Sequence, residues 1–337
     1  MNFKRSLSLT LAALSLTGTL AACSADTSAP QSQSPAVPAV SPLTSVQTQE
    51  AKTPKYVFLF IGDGMSYPQF QAASDYLGAL ADTGSDDILE GNVPLTFMNF
   101  PVAGSAVTYD SSSFCPDSAS TATSLSTGYK TYSGTINMDE TATVSYETIS
   151  EKLHAQLGWK VGVISSVNLN HATPAAFYAH QAKRSNYYEI GQELVESGFE
   201  YFAGGALLKP TGANGDQENL YDLAKEAGYK VVTTQSEAAK VSAAGEKVLL
   251  VDEHLADSDA MAYELDREAG QWALADYVEK GIEVLNNSKG FFMMCEGGKI
   301  DWACPPTTPA PPWPTPWLWP TPFRWPWTLP RNIPRRR

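Results

Sequence analysis

Ser118 stands in the run Cys115-Pro116-Asp117-Ser118-Ala119-Ser120-Thr121-Ala122-Thr123, and it is the residue whose surroundings speak most directly of chemistry. The residues after Pro116 are small and compatible with a helix, so Ser118 is expected in a helix's first turn. Free N–H groups and the positive end of the peptide dipoles gather there, which suits a serine alkoxide and a phosphate alike. The plain alternative is a Ser/Thr-rich helix start with Asp117 as its cap. Asp63, the stretch from Ser165 to Thr173, and the stretch from Glu296 to Asp301 each fall at or just past the end of an apolar run. In open α/β sheets functional groups collect at such strand ends. Arg184 adds a planar fork of N–H donors fit for a phosphate, unless it is only a surface arginine beside Lys183.

The elements that would position these groups are legible as alternating runs. Lys55 to Ile61 is apolar after its lysine and is stopped by Gly62-Asp63-Gly64, with a helical pattern following. A run apolar on both faces suits a central, parallel strand. Trp159–Ser165, Lys247–Val251 and Gly290–Glu296 read the same way, and helices are expected over Tyr146–Leu157, Tyr187–Ser197, Leu220–Ala227 and Ala269–Leu285. The alternation argues for a layered α/β domain.

Composition limits the partners. The 337 residues carry 36 Asp+Glu against 23 Lys+Arg, which disfavours a nucleic-acid binder held by phosphate attraction. An acidic chain accepts an anionic substrate only where bound cations invert the local field. Lys4 and Arg5 followed by the apolar stretch Leu7–Leu20 read as an export signal. Its end, Leu20-Ala21-Ala22-Cys23, resembles a bacterial lipobox, which implies cleavage after residue 22 and a lipid on Cys23; a plain secretory peptide is the alternative. Residues 23–53 are rich in Ser, Pro, Ala, Thr and Gln and read as a disordered tether holding the catalytic domain off a membrane. The expected location is therefore outside the cytoplasm: outer membrane, periplasm or cell surface. Cys115, Cys295 and Cys304 allow one disulfide pair at most.

Taken together and in order, the motifs resemble the alkaline phosphatase family. They are Ile61-Gly62-Asp63-Gly64-Met65, Asp117-Ser118-Ala119, Thr127-Gly128-Tyr129-Lys130-Thr131, His171-Ala172-Thr173-Pro174-Ala175, Arg184 and Glu296-Gly297-Gly298-Lys299-Ile300-Asp301. The resemblance implies a three-layer α/β/α sandwich with a mostly parallel sheet over residues 54–304. It also implies hydrolysis of phosphate monoesters through a phosphoserine on Ser118, two Zn2+ and one Mg2+, and a homodimer. By the same resemblance Asp63 would bridge a zinc that activates Ser118 and a magnesium completed by His171, Thr173 and Glu296. Arg184 would clamp the phosphate oxygens and Asp301 would bind the second zinc. His180 reads as structural, and His154 and His254 as solvated or capping residues.

The pattern breaks after Cys304. The family's zinc histidine falls four positions after Asp301, where this chain has Pro305. From 305 to 337 stand twelve of the 23 prolines, five of the eight tryptophans and no acidic residue. With one base restored, the codons of Pro305-Pro306-Thr307-Thr308-Pro309 can encode His-Ala-Asn-Asp-Ala, the expected continuation. A frameshift near Pro305 is therefore expected, with the chain as written inactive for want of zinc ligands. Competing readings are a sulfatase or phosphonate hydrolase, disfavoured by a serine in Asp-Ser-Ala; a phosphodiesterase; and a non-catalytic surface lipoprotein.

Overall fold

The computed structural model of the protein describes residues 54–81, 93–242 and 245–304. The leader 1–22, the tether 23–53 with Cys23, and the tail 305–337 lie outside the described residues. Six strands form one sheet: β1 (Tyr56–Gly62), β2 (Lys160–Asn168), β3 (Tyr201–Gly205), β4 (Tyr229–Val232), β5 (Lys247–Val251) and β6 (Phe291–Gly297). Their order is β1-β6-β2-β3-β5-β4, and every pairing is parallel rather than mostly so. The described helices are α1 (Tyr67–Ala81), α2 (Ser118–Thr127), α3 (Ile149–Leu157), α4 (Ala172–Ala175), α5 (Tyr187–Glu196), α6 (Leu220–Glu226), α7 (Gln235–Ala238), α8 (Leu274–Leu285) and α9 (Lys299–Ala303).

The period-2 geometry of the strands sends alternate side chains into two separate cores. Val161, Val163, Phe202, Leu249, Phe292 and Met294 face one layer, with Ala119 and Ala122 of α2, Ile190 and Leu194 of α5, and Leu220 of α6. Ile164, Tyr201, Val248, Leu250, Phe291 and Met293 face the other, against Leu274, Tyr277, Val278 and Leu285 of α8. The sheet thus has helices on both faces and makes the three layers expected. Apolar burial on both sides explains why β2, β5 and β6 read as unbroken hydrophobic runs. Strand β1, expected as a central strand, instead lies at the edge of the described sheet and is only half-buried, so its apolar run does not mark a central position.

Two expected helices start later than their periodicity suggested. The segment from Tyr146 becomes helical only at Ile149, because Thr148 caps α3 in a reciprocal box with Glu151. The segment from Ala269 becomes helical only at Leu274, where the Asp276 carboxylate accepts the Ala273 N–H at 2.7 Å. Strands β3 and β4 were not anticipated: Tyr201–Gly205 ends in two glycines, and Tyr229–Val232 is only four residues long.

Register fixes the working end of the sheet. Ile61 pairs with Glu296, Glu296 with Ser165, and Ser165 with Gly204, so the C-terminal ends of four neighbouring strands lie side by side. After Ser165 the register shifts, and β2 bulges before Asn168 meets Gly205. A bulge re-aims side chains. Here it sends the Ser165 hydroxyl to Glu296 at 2.5 Å, while the Ser166 hydroxyl receives the Lys299 N–H at 3.2 Å.

Candidate active site

Ser118 is the first residue of α2, as its sequence setting predicts. Asp117 caps that helix by accepting the Ser120 N–H at 3.0 Å, which frees Ser118 to project from the helix start. The Ser118 hydroxyl donates to Asp63 Oδ2 at 2.7 Å, and Asp63 follows directly on β1. The two segments, 55 residues apart, are thereby joined at one point.

The other carboxylate oxygen of Asp117 receives Arg184 Nη1 at 2.9 Å. Asp117 thus caps the helix with one oxygen and holds Arg184 with the other. Burial pushes Asp117 upward, but the Gly134 and Ser120 N–H groups and the Arg184 guanidinium outweigh it and hold the carboxyl below its usual range. Arg184 Nη2 lies 3.3 Å from His171 Nε2. Burial, and then the arginine charge, push His171 down to about 4, so the imidazole is neutral at physiological pH. Neutral imidazole is the form that can ligate a cation.

Glu296 is fully buried at the penultimate position of β6. Burial, reinforced by the Asp63 charge, raises its carboxyl to about 8 against the hydrogen bonds from Ser165 and Thr173. Asp63 is raised as well, first by burial and then by Asp301. Asp301 on α9 lies against Gly64; a Cβ there would come within 2.8 Å of Asp301 Oδ1. Burial and a neighbouring carboxylate thus both disfavour the ionised forms of Asp63 and Glu296. Buried and without a hydrogen-bond partner are Glu296 Oε1 and His171 Nδ1.

That donor set fits a hard divalent cation: the carboxylates of Asp63 and Glu296 in mutual repulsion, one Glu296 oxygen unpartnered, and the neutral Thr173 hydroxyl beside Glu296. It does not fit a complete zinc site. Among the described residues no three His, Cys, Asp or Glu side chains converge as a ready cluster.

A family model described as alkaline phosphatase matches residues 54–203 and 196–310, the whole of the folded part. The chain belongs to the alkaline phosphatase family. It is 31% identical over 265 residues to alkaline phosphatase 4 of Bacillus subtilis, covering 77% of this chain and 54% of that one. To the tissue-nonspecific isozyme of Felis catus it is 29% identical, covering 73% and 55%. The chain spans about half the length of the curated relatives it matches. Among solved structures, the alkaline phosphatase of the Antarctic bacterium TAB5 superposes with a TM-score of 0.59 at 29% identity, covering 74% of this chain and 67% of that one. A cold-active alkaline phosphatase from Shewanella sp. gives 0.61 at 27%, covering 74% and 57%. A variant of the TAB5 enzyme is described with magnesium bound in its M3 site.

Of the residues singled out in the sequence, Asp63, Ser118, Arg184 and His171 are linked through short contacts, with Asp301 against the Asp63 turn. Glu296 and Thr173 meet through a hydrogen bond beside them. Among the described residues the cysteines are free, Cys115 exposed, Cys295 buried and Cys304 half-buried. His154 pairs with Glu200 at 3.4 Å, and the His254 N–H donates to Asp252.

His180 stands apart from the site and is structural, as read. Its ring lies between Glu151 at 3.5 Å and Glu193 at 3.7 Å. Burial opposes its protonation, but the two carboxylates overcome that and raise it to about 10. A group raised in the folded state contributes stability that is complete below its unfolded value near 6.5 and is lost as pH climbs through 10. We expect the Tm to fall over that window, and to fall markedly less in His180→Gln. The difference at pH 6 should be on the order of a few kcal/mol. Parallel pH-melting curves for the two proteins measure it; identical slopes would contradict the assignment.

One residue escaped the sequence reading. Asp110 is buried and accepts from the Ser112 and Ser113 N–H groups, the Ser112 hydroxyl, Ser133, and Ser120 on α2. It ties α2 to the loops on either side. The only signal for it was an Asp followed by three serines, the pattern of an Asx turn.

Proposed function

We propose that this chain carries the nucleophile-bearing part of a phosphate-monoester hydrolase that works through a phosphoserine on Ser118. The observation that carries the reading is the junction at the start of α2: Ser118 hydrogen-bonded to Asp63 at 2.7 Å, with Arg184 held beside it by Asp117 at 2.9 Å. Arg184 Nη1 and Nη2 face the phosphate's non-bridging oxygens once the ester is bound, and the helix start adds free N–H groups behind them. The Ser118 Oγ–P bond forms as the ester P–O bond breaks; the serine proton passes along its hydrogen bond to Asp63, and the leaving alkoxide takes a proton from water as it departs as the alcohol. Water then cleaves the phosphoserine to inorganic phosphate and restores the hydroxyl. A magnesium ion held by Asp63, Thr173 and Glu296, with His171 alongside, would supply positive charge that offsets the repulsion between the two carboxylates. No step is derived through zinc, because the residues present do not complete a zinc site.

Turnover is assigned to the protein with its frame restored at codon 305, and the chain as written is expected to be inactive. The reading is supported by the density of proline after Cys304 and by a family match that stops at residue 310. The lipid anchor on Cys23, an extracytoplasmic location and a homodimer belong to the same proposal. Incorporation of labelled palmitate, lost in Cys23→Ala, tests the anchor.

The testing experiment compares p-nitrophenyl phosphate with its bis ester, using the frame-restored protein. The monoester should be the preferred substrate, and preference for the diester would move the chain to the phosphodiesterases. Arg184→Ala should lower kcat/KM for the monoester by about 10²–10³-fold, since it removes charged donors from the developing phosphoryl charge. Arg184→Lys should recover only part of that loss, because a point charge does not replace a planar fork. An unchanged kcat/KM in Arg184→Ala would remove the clamp from the mechanism.

A further inference from the structure

Asp110 is 5% exposed, yet it lies in irregular loop, on no strand or helix. Its two carboxylate oxygens are used differently. Oδ1 accepts the Ser112 and Ser113 N–H groups at 2.7 and 2.6 Å and the Ser112 hydroxyl at 2.9 Å, which fixes the carboxylate in its own turn. Oδ2 joins two other segments. It accepts the Ser120 hydroxyl of α2 at 2.8 Å and the Ser133 hydroxyl from the loop after α2.

Each of those hydroxyls leads on to Arg184. The Ser120 N–H donates to one Asp117 oxygen at 3.0 Å, and the other holds Arg184 Nη1 at 2.9 Å. Gly134, next to Ser133, accepts the Arg184 backbone N–H at 2.7 Å and donates its own N–H to Asp117. The bonds close a ring that runs from Asp110 through Ser120, Asp117, Arg184, Gly134 and Ser133 back to Asp110. Ser118 lies between Asp117 and Ser120 in the chain, so the ring holds both the serine's helix turn and the arginine. The Asp117 and Arg184 side chains are each about a quarter exposed, 25% and 28%, and a pair so wetted fixes geometry weakly. Asp110 ties the backbones behind that pair at a buried point, where hydrogen bonds hold geometry better. We propose that Asp110 is a positioning residue for the phosphate clamp, its Oδ2 setting the spacing between the start of α2 and Arg184. The inference rests on the reading of Arg184 as that clamp.

The test is calorimetric titration of the full chain with inorganic phosphate at fixed magnesium, beside urea melts that show each variant folded at the titration temperature. Ser120→Ala and Ser133→Ala each cut one arm and leave the Asp110 turn in place. Each should weaken phosphate binding about tenfold, the scale of a small misplacement of a binding group. A tie cut on one side no longer couples the two segments, so the double variant should also bind about tenfold more weakly, not about a hundredfold. Stability should instead fall step by step, since each hydroxyl makes a separate hydrogen bond. Asp110→Asn keeps both contacts, with the hydroxyls accepting from the amide, and should bind phosphate within about twofold of the parent. Binding unchanged in both single variants, single losses that multiply in the double, or a tenfold loss in Asp110→Asn would overturn the proposal. Arg184→Ala separates this from the reading beneath it. If that variant binds phosphate as tightly as the parent, the clamp falls and this inference with it. If it loses phosphate while Ser120→Ala and Ser133→Ala do not, the clamp stands and only the positioning role of Asp110 falls.

Discussion

Ser118→Ala in the frame-restored protein is expected to lower kcat for p-nitrophenyl phosphate by on the order of 10³-fold or more, the scale of losing an enzyme's nucleophile. The fold should hardly notice. Alanine is the better helix former, Asp117 still caps α2 through Ser120, and the Asp117–Arg184 pair does not involve the serine. What disappears is one hydrogen bond, the 2.7 Å contact with Asp63, worth about 1 kcal/mol net. Steady-state kinetics beside a urea melt separate the two effects. A loss of rate with the melt unchanged identifies a chemical role; unchanged kinetics would make Ser118 a helix-start residue and place the nucleophile elsewhere.

Gly204→Ala should produce the largest loss of stability, on the order of 3 kcal/mol or more, from strain and overpacking together. Gly204 has φ 142°, where side chains are rarely tolerated, and a Cβ there would lie 1.8 Å from the Ser165 carbonyl oxygen. No rotamer change relieves that contact, because the obstacle is backbone. The damage falls at the β2 bulge, whose hydroxyls at Ser165 and Ser166 hold Glu296 and the start of α9. Gly104→Ala is the control, since nothing lies within 4 Å of its added carbon. It should melt within about 0.5 kcal/mol of the parent. Chemical denaturation of the full chain measures both, and a Gly204→Ala melt matching the control would contradict the bulge geometry.

Strands β2, β5 and β6 were legible because burial on both faces writes itself as an apolar run; β1 gave the same signal although it is a half-buried edge strand, so its place in the sheet was misread. The site residues at their ends were legible because each sits where such a run stops. Strand β3 was hidden by Gly204 and Gly205, which the bulge requires and which carry no hydrophobic signal. Helix starts at Ile149 and Leu274 were displaced by capping side chains, a local hydrogen-bond choice that periodicity does not encode. Ser118 at a helix N-terminus could be read from small residues and an Asp cap. Its link to Asp63, and Asp110 as the anchor of α2, depend on contacts between segments that sequence spacing does not reveal.

The most direct test of the central claim is to trap the covalent intermediate. The frame-restored protein would be mixed with a phosphate monoester labelled in phosphorus, quenched in acid, digested and mapped by mass spectrometry. The account predicts one phosphorylated peptide, containing Ser118, with no label in Ser118→Ala. Hydrolysis proceeding with no phosphoserine, or with label on any other residue, would contradict it.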